Sequence, residues 1–133
     1  MKEHITKTRV RYGETDKMGV VYHPNYFEYF ELGRTELMRS AGLPYSSVEK
    51  QGIKLVVAEA HCKYIAGAVY DEEIKIATRV AEISKAKIQF DYKASGKGNR
   101  ILAQGYTVLA CLDKNGKVAR LPGSISSRLA GYV

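Results

Sequence analysis

Only one stretch of this chain repeats its apolar residues at a helical period for long enough to make a long helix, and most of the remaining residues repeat at a period of two. Residues 24 to 41 set Phe27, Phe30, Leu37, Met38 and Ala41 on one side, with Glu28, Glu31, Glu36 and Arg39 elsewhere. Pro24 suits a first helical position, and Gly42 suits the residue just past the last turn. Such a helix would be roughly 27 Å long at ~1.5 Å per residue. Gly33, one turn from Phe30 and from Leu37, either lets the helix approach a sheet closely or is merely tolerated. Glu31 and Arg34, also one turn apart, are expected to form a structural pair.

Strand patterns surround this helix. In residues 5 to 12, ITKTRVRY, Thr8, Val10 and Tyr12 share one face while Lys7, Arg9 and Arg11 share the other. After a polar linker at 44 to 52, strands are expected at 54 to 64, 73 to 83, 87 to 94 and 100 to 113. The second of these puts Ile74, Ile76, Thr78 and Val80 on one face, and the third opposes Ile88, Phe90 and Tyr92 to Lys87, Gln89, Asp91 and Lys93. The fourth is nearly apolar, as a central strand should be. Asn115-Gly116 is a tight-turn signal leading into a hairpin strand at 118 to 121, and 122 to 133 form a short tail with one helical turn. One long helix among strands implies an α+β domain in which an antiparallel sheet packs on that helix. The 133 residues suffice for a single domain, 1–133, that buries roughly two-thirds of its unfolded surface. One helix covers only one face of such a sheet, so the free face or edge implies a homo-oligomer.

Composition excludes several function classes. Hydrophobic residues at 45% and charged residues at 26% are ordinary for a globular protein, and no apolar run approaches the ~18 residues of a membrane span. No membrane insertion is expected. The opening MKEHITKTRV lacks an apolar signal core, so a cytoplasmic location with Cys62 and Cys111 reduced is expected. The cysteines form no CxxC, and His4, His23 and His61 show no metal-ligand spacing with them, so no metal is expected. His61 and Cys62 are neighbours on a strand and point to opposite faces, which denies them a thiolate dyad. SGKGN at 95 to 99 is followed by a strand instead of a helix, so it is a hairpin turn and not a phosphate loop. The net charge of +7 favours a phosphate-bearing partner, but the basic residues are interleaved with acids such as Glu82 and Asp91 and include no arginine-rich run. A nucleic-acid partner is not expected.

The chemistry-bearing residues gather between the first strand and the helix, in YGETDKMGVVYHPNY from Tyr12 to Tyr26. Asp16 lies in a polar turn, Gly19 lets the chain bend, and Val20 and Val21 pin the loop down. The N–H groups of His23, Asn25 and Tyr26 are expected free at the start of the helix, where negative charge is favoured. A carboxylate and an oxyanion site facing one small volume is what acyl transfer needs. The plainer reading has Asp16 capping a turn.

The string TDKMGVVYHPNYFEYFELGRTELMR, with RVRYGETD before it, resembles the signature of the hotdog-fold acyl-CoA thioesterases of the 4-hydroxybenzoyl-CoA thioesterase family, in its YbgC-like branch. The specific match runs from Arg9 to about Leu43, and the rest agrees in strand order and length. The resemblance implies a hotdog fold, with a five-stranded antiparallel sheet wrapped around one long central helix. It implies dimers with a continuous sheet, commonly paired into tetramers, with active sites at the dimer interface and no cofactor beyond the coenzyme A of the acyl-CoA substrate. It makes Asp16 the catalytic aspartate, as nucleophile or as general base. It gives His23 the backbone N–H that polarises the thioester carbonyl and an imidazole that lines the site, makes Tyr12, near the aspartate, a further catalytic residue and sets Tyr22 beside the acyl group. Tyr26 is read as substrate-binding with it. Lys85 and Lys87, near a strand start, are candidate contacts for the CoA phosphates, against the plain reading of solvated lysines. The alternative function is a non-catalytic acyl-CoA or aromatic ligand-binding module on the same fold.

Overall fold

A computed structural model describes residues 2–133. The chain order is β1 (His4–Arg9), α1 (Asn25–Ser40), α2 (Tyr45–Glu49), β2 (Ile53–Tyr64), β3 (Glu73–Ile83), β4 (Lys87–Ser95), β5 (Ile101–Asp113) and α3 (Gly123–Leu129). The strands form one five-stranded sheet in the order β1-β3-β4-β5-β2, antiparallel throughout. β4 is central, and β5 lies one place in from the β2 edge, so the most apolar strand is not the middle one.

One face of the sheet is buried under α1. Ile74, Ile76, Thr78 and Val80 of β3 and Ile88 and Phe90 of β4 are fully buried, as the alternation in their segments predicts. From the helix come Tyr26, Tyr29, Phe30, Gly33, Leu37 and Met38. Each large side chain buried there is worth about 1.5–3 kcal/mol. Phe30 stacks on Tyr92 at 4.5 Å between ring centroids. Gly105 of β5 makes room for that ring, since a Cβ there would stand 2.7 Å from the Phe30 edge.

Gly33 is not merely tolerated: a Cβ at this point of α1 would strike Thr78 Oγ1 and the Ile76 side chain. The expected Glu31–Arg34 pair does not form. Arg34 donates instead to the Tyr92 hydroxyl at 3.1 Å, and that hydroxyl shares a hydrogen bond with Thr107 at 2.6 Å. Buried hydroxyls need partners, and this chain of contacts supplies one where an exposed carboxylate would supply none.

Three register shifts interrupt the sheet, one at Ala94/Ser95 of β4 and two β-bulges farther along it. Ala58 is the extra residue where β2 steps from Val57 to Glu59 against Leu109 and Val108, and Ala81 is the extra residue in β3 opposite Phe90 and Gln89. Because Gln89 also pairs with Val108, both bulges lie at one level across the sheet. Bulges bend and twist the strands that hold them, so the sheet curls around α1 at this level.

The segments between elements depart most from expectation. β1 ends at Arg9 instead of residue 12, because Val10 exchanges hydrogen bonds with Glu72 and Asp71 and the chain then tightens into a 3-10 turn at Tyr12–Glu14. The linker at 44 to 52 contains α2, which buries Val48. Residues 118 to 121 make no strand beyond a single bridge, Leu112 to Val118. The tail is more than one turn: α3 and a 3-10 turn at Ala130–Tyr132 bury Ile125, Leu129 and Tyr132, and Tyr132 shares a 2.8 Å hydrogen bond with Ser40.

Candidate active site

The stretch between β1 and α1 is a small clamped hairpin. Tyr22 N–H donates to Glu14 O at 2.8 Å, Asp16 N–H donates to Val20 O at 2.8 Å, and Thr15 bridges Val21 between them. Gly19 closes the turn with φ at +84°. The hairpin is pinned to the loop after β2: Val21 N–H donates to Ala68 O at 2.9 Å, and Val20 fills the space a Cβ on Gly67 would need. This anchoring is what the apolar pair Val20–Val21 predicts.

Asp16 sits at the turn, half-buried. Its Oδ1 accepts from Met18 N–H at 2.9 Å, while Oδ2 accepts no hydrogen bond among the described residues. The carboxylate thus caps its turn and still presents a free oxygen.

His23 follows the hairpin at the helix start. Asn25 N–H and Tyr26 N–H are not free, because they donate to Tyr22 O and His23 O in tight turns that begin the helix early. His23 N–H donates to no acceptor among the described residues, so it is the one open donor of the expected three. Pro24 occupies the cap position with helical dihedrals of −62° and −22° and has no N–H to satisfy.

Aromatic rings surround this donor. His23 meets Tyr22 at 5.1 Å and Tyr64, the last residue of β2, at 5.7 Å, both edge to face. Tyr64 in turn covers Tyr26 at 5.7 Å. Tyr26 is only 3% exposed, its hydroxyl has no partner among the described residues, and burial above all pushes its pKa up to about 12. It therefore lies behind Tyr64 and not at the surface of the site. Tyr12 is 79% exposed and leans on Tyr70 at 5.8 Å, so the face it was expected to share with Thr8 and Val10 is not the one it takes.

Lys85 and Lys87 are not brought to this end. They flank the β3–β4 turn, whereas the hairpin adjoins the Glu73 end of β3. β3 is 11 residues long, which separates the two ends by about 30 Å at ~3.3 Å per residue. His61 and Cys62 do take opposite faces: His61 stacks on Tyr106 on the outer side, and Cys62 lies half-buried inside, its thiol pKa raised by burial. Four of the concavities in the described residues, of about 210 to 520 Å³, are lined by neither Asp16 nor His23.

A model of the thioesterase-like superfamily matches residues 10–129. The chain belongs to that superfamily. It is a hotdog-fold thioester hydrolase of the YbgC-like branch, as the residues from Arg9 to Leu43 imply. Acyl-CoA thioesterase YbgC of Haemophilus influenzae is 32% identical over 106 residues, which cover 79% of this chain and 77% of that protein. A Thermus thermophilus protein of solved structure superposes with a TM-score of 0.91 at 36% identity, covering 97% of this chain and 98% of the other. The DHNA-CoA thioesterase of Staphylococcus aureus superposes with a TM-score of 0.87 at 34% identity, covering 91% and 82%.

Two residues of this thioesterase beside the hairpin escape a reading of the sequence. Tyr64 sits at the end of a strand that reads only as rich in Val and Ala, and nothing local shows that it meets His23. Glu14 is the second. Its carbonyl accepts from Tyr22 N–H and from Asn25 Nδ2, and its Oε1 accepts from Arg11 N–H and from the Tyr29 hydroxyl. The spacing of Arg11 and Glu14 does suit a turn cap, which is the one signal the sequence offers for it.

Proposed function

We propose that the protein hydrolyses acyl-CoA thioesters to free acid and CoA, with Asp16 and the His23 N–H as its working groups. The observation that carries the reading is their joint placement: a carboxylate with one unengaged oxygen and an unengaged backbone donor at a helix start, held on one clamped hairpin. A thioester carbonyl oxygen received by His23 N–H gains charge where a donor already points, and losing such a donor costs ~3 kcal/mol of barrier. Asp16 then attacks the carbonyl carbon to give an anhydride and expel CoA thiolate, after which water cleaves the anhydride to free acid and restores the carboxylate, or it takes a proton from the water that attacks the thioester and expels the thiolate. Tyr22 and Tyr64 flank the acyl group.

The site is completed by a second copy. The inward face of β2 carries Val57 at 51% exposure and Tyr64 at 44%, both on the sheet's edge strand. Antiparallel pairing of two such edges would cover both and reverse one sheet against the other. The β3–β4 turn of each copy, with Lys85 and Lys87, would then lie toward the Asp16 end of its neighbour. The net charge of +7 suits the CoA phosphates in that arrangement.

A screen of short aliphatic, long aliphatic and aromatic acyl-CoA thioesters with free-thiol detection tests the reading. Release of thiol from at least one class is expected. Binding of every class with release from none would favour the ligand-binding module, in which Asp16 serves only its turn.

A further inference from the structure

We infer that Glu14 and Tyr29 form a positioning latch that sets Asp16 against the His23 N–H, a role that rests on the catalytic reading of Asp16. Asp16 ends the first arm of the hairpin and His23 follows the second, so their relation depends on how the arms pair and how the hairpin docks on α1. Glu14 controls both. Its backbone carbonyl accepts from Tyr22 N–H at 2.8 Å and from Asn25 Nδ2 at 2.8 Å, joining the first arm to the second and to the first residue of the helix. Its carboxylate Oε1 accepts from Arg11 N–H at 2.8 Å and from the Tyr29 hydroxyl at 3.0 Å, joining the same arm to the chain just past β1 and to the second turn of the helix.

Tyr29 is built for such a task. It is 4% exposed, one turn beyond Tyr26, and packs on it at 5.6 Å edge to face, so its ring cannot swing away. Burial first, and then the hydrogen bond to Glu14, raise its pKa, so the phenol remains a donor across the working range of pH. A phenol donating to a carboxylate is a strong and directional contact, here part-buried. Tyr29 is buried and Glu14 spends its carboxylate on Arg11 and Tyr29, so the pair acts through the hairpin.

The test compares Tyr29→Phe, Glu14→Ala, Glu14→Gln and the double variant Glu14→Ala/Tyr29→Phe, with Asp16→Asn as reference. Tyr29→Phe keeps the ring and removes only the donor. It is expected to lower kcat about 10- to 100-fold, the scale of a small misplacement of reacting groups. KM should stay within about twofold, because substrate binding is untouched. Glu14→Gln retains an oxygen at Oε1 and should recover most of the kcat that Glu14→Ala loses. The double variant should be no slower than its slower parent, as coupled residues require.

Unchanged kcat in Tyr29→Phe and Glu14→Ala, alongside an inactive Asp16→Asn, would overturn the latch alone. Losses that follow melting temperature, or that Glu14→Gln does not recover, would overturn it too, by reducing it to a packing contact. An active Asp16→Asn would remove the catalytic reading and the latch together.

Discussion

Gly33 of α1 lies directly over Thr78 of β3, so close that any Cβ on the glycine would overlap the threonine hydroxyl. That hydroxyl is buried and has no hydrogen-bond partner among the described residues, which makes it a filler of space beneath the helix. Gly33→Ala must push the helix off the sheet or displace Thr78 and Ile76. Overpacking of this kind costs about 1–3 kcal/mol. The melting temperature should fall by several degrees. Gly13→Ala, where a Cβ meets nothing within 4 Å, should leave it unchanged.

Asp16→Asn separates chemistry from capping. The amide oxygen of Asn still accepts from Met18 N–H, so the turn keeps its cap and the melting temperature should hold. Hydrolysis should drop ~10²–10⁴-fold, the contribution of a general base, or further for a nucleophile. Steady-state kinetics and a thermal melt on one preparation check both halves.

Val57→Lys addresses the second copy. Val57 faces inward on the edge strand and is half exposed, so a charge there obstructs pairing without entering the core. The variant should sediment as the 14.8 kDa chain and lose hydrolysis with Asp16 and His23 intact. A fully active monomer would show that one chain holds the whole site.

The tyrosines give a pH signature. Tyr26 has a folded pKa of about 12 against an ordinary 10.0, and Tyr29 is raised further in the same direction. Raised folded values mean that these phenols stabilise the fold fully below pH 10 and that the contribution is lost as pH climbs through about 12. Phenolate absorbance from the buried pair should therefore rise only together with loss of the folded circular dichroism.

The fold is legible because its strongest signals are periodic. The inward residues of β3 and β4 follow strict alternation up to Val80, and the apolar stripe of α1 follows the helical period. Tyr26 and Tyr29 of that helix are harder to place, since a tyrosine suits either a core or a wet face. Short connecting segments mislead for a different reason. α2 owes its form to one buried valine, Val48, and the expected strand at 118 to 121 keeps only one bridge to β5. At the site, Asp16, His23, Gly19 and Pro24 can be read because each has a local reason to stand where it does. Tyr64 and the contact from Tyr29 to Glu14 cannot, since they join residues brought together only by the closing of the sheet around the helix.

Ala58 carries a consequence for how such a chain can change. Ahead of it the inward positions of β2 are Ile53, Leu55 and Val57, and behind it they are Ala60, Cys62 and Tyr64. A regular strand of the same length, with Ala58 drawn into the ladder, would turn Glu59, His61 and Lys63 toward the helix and send Tyr64 to the outer surface. Excising Ala58 would do no such thing, because Val57 and Ala60 would then stand two places apart and both would still face in. The strand thus behaves as a splice between two phases, one serving the core and one serving the wall around His23. It can lose its spare residue and keep that wall, but it cannot keep the residue and run straight.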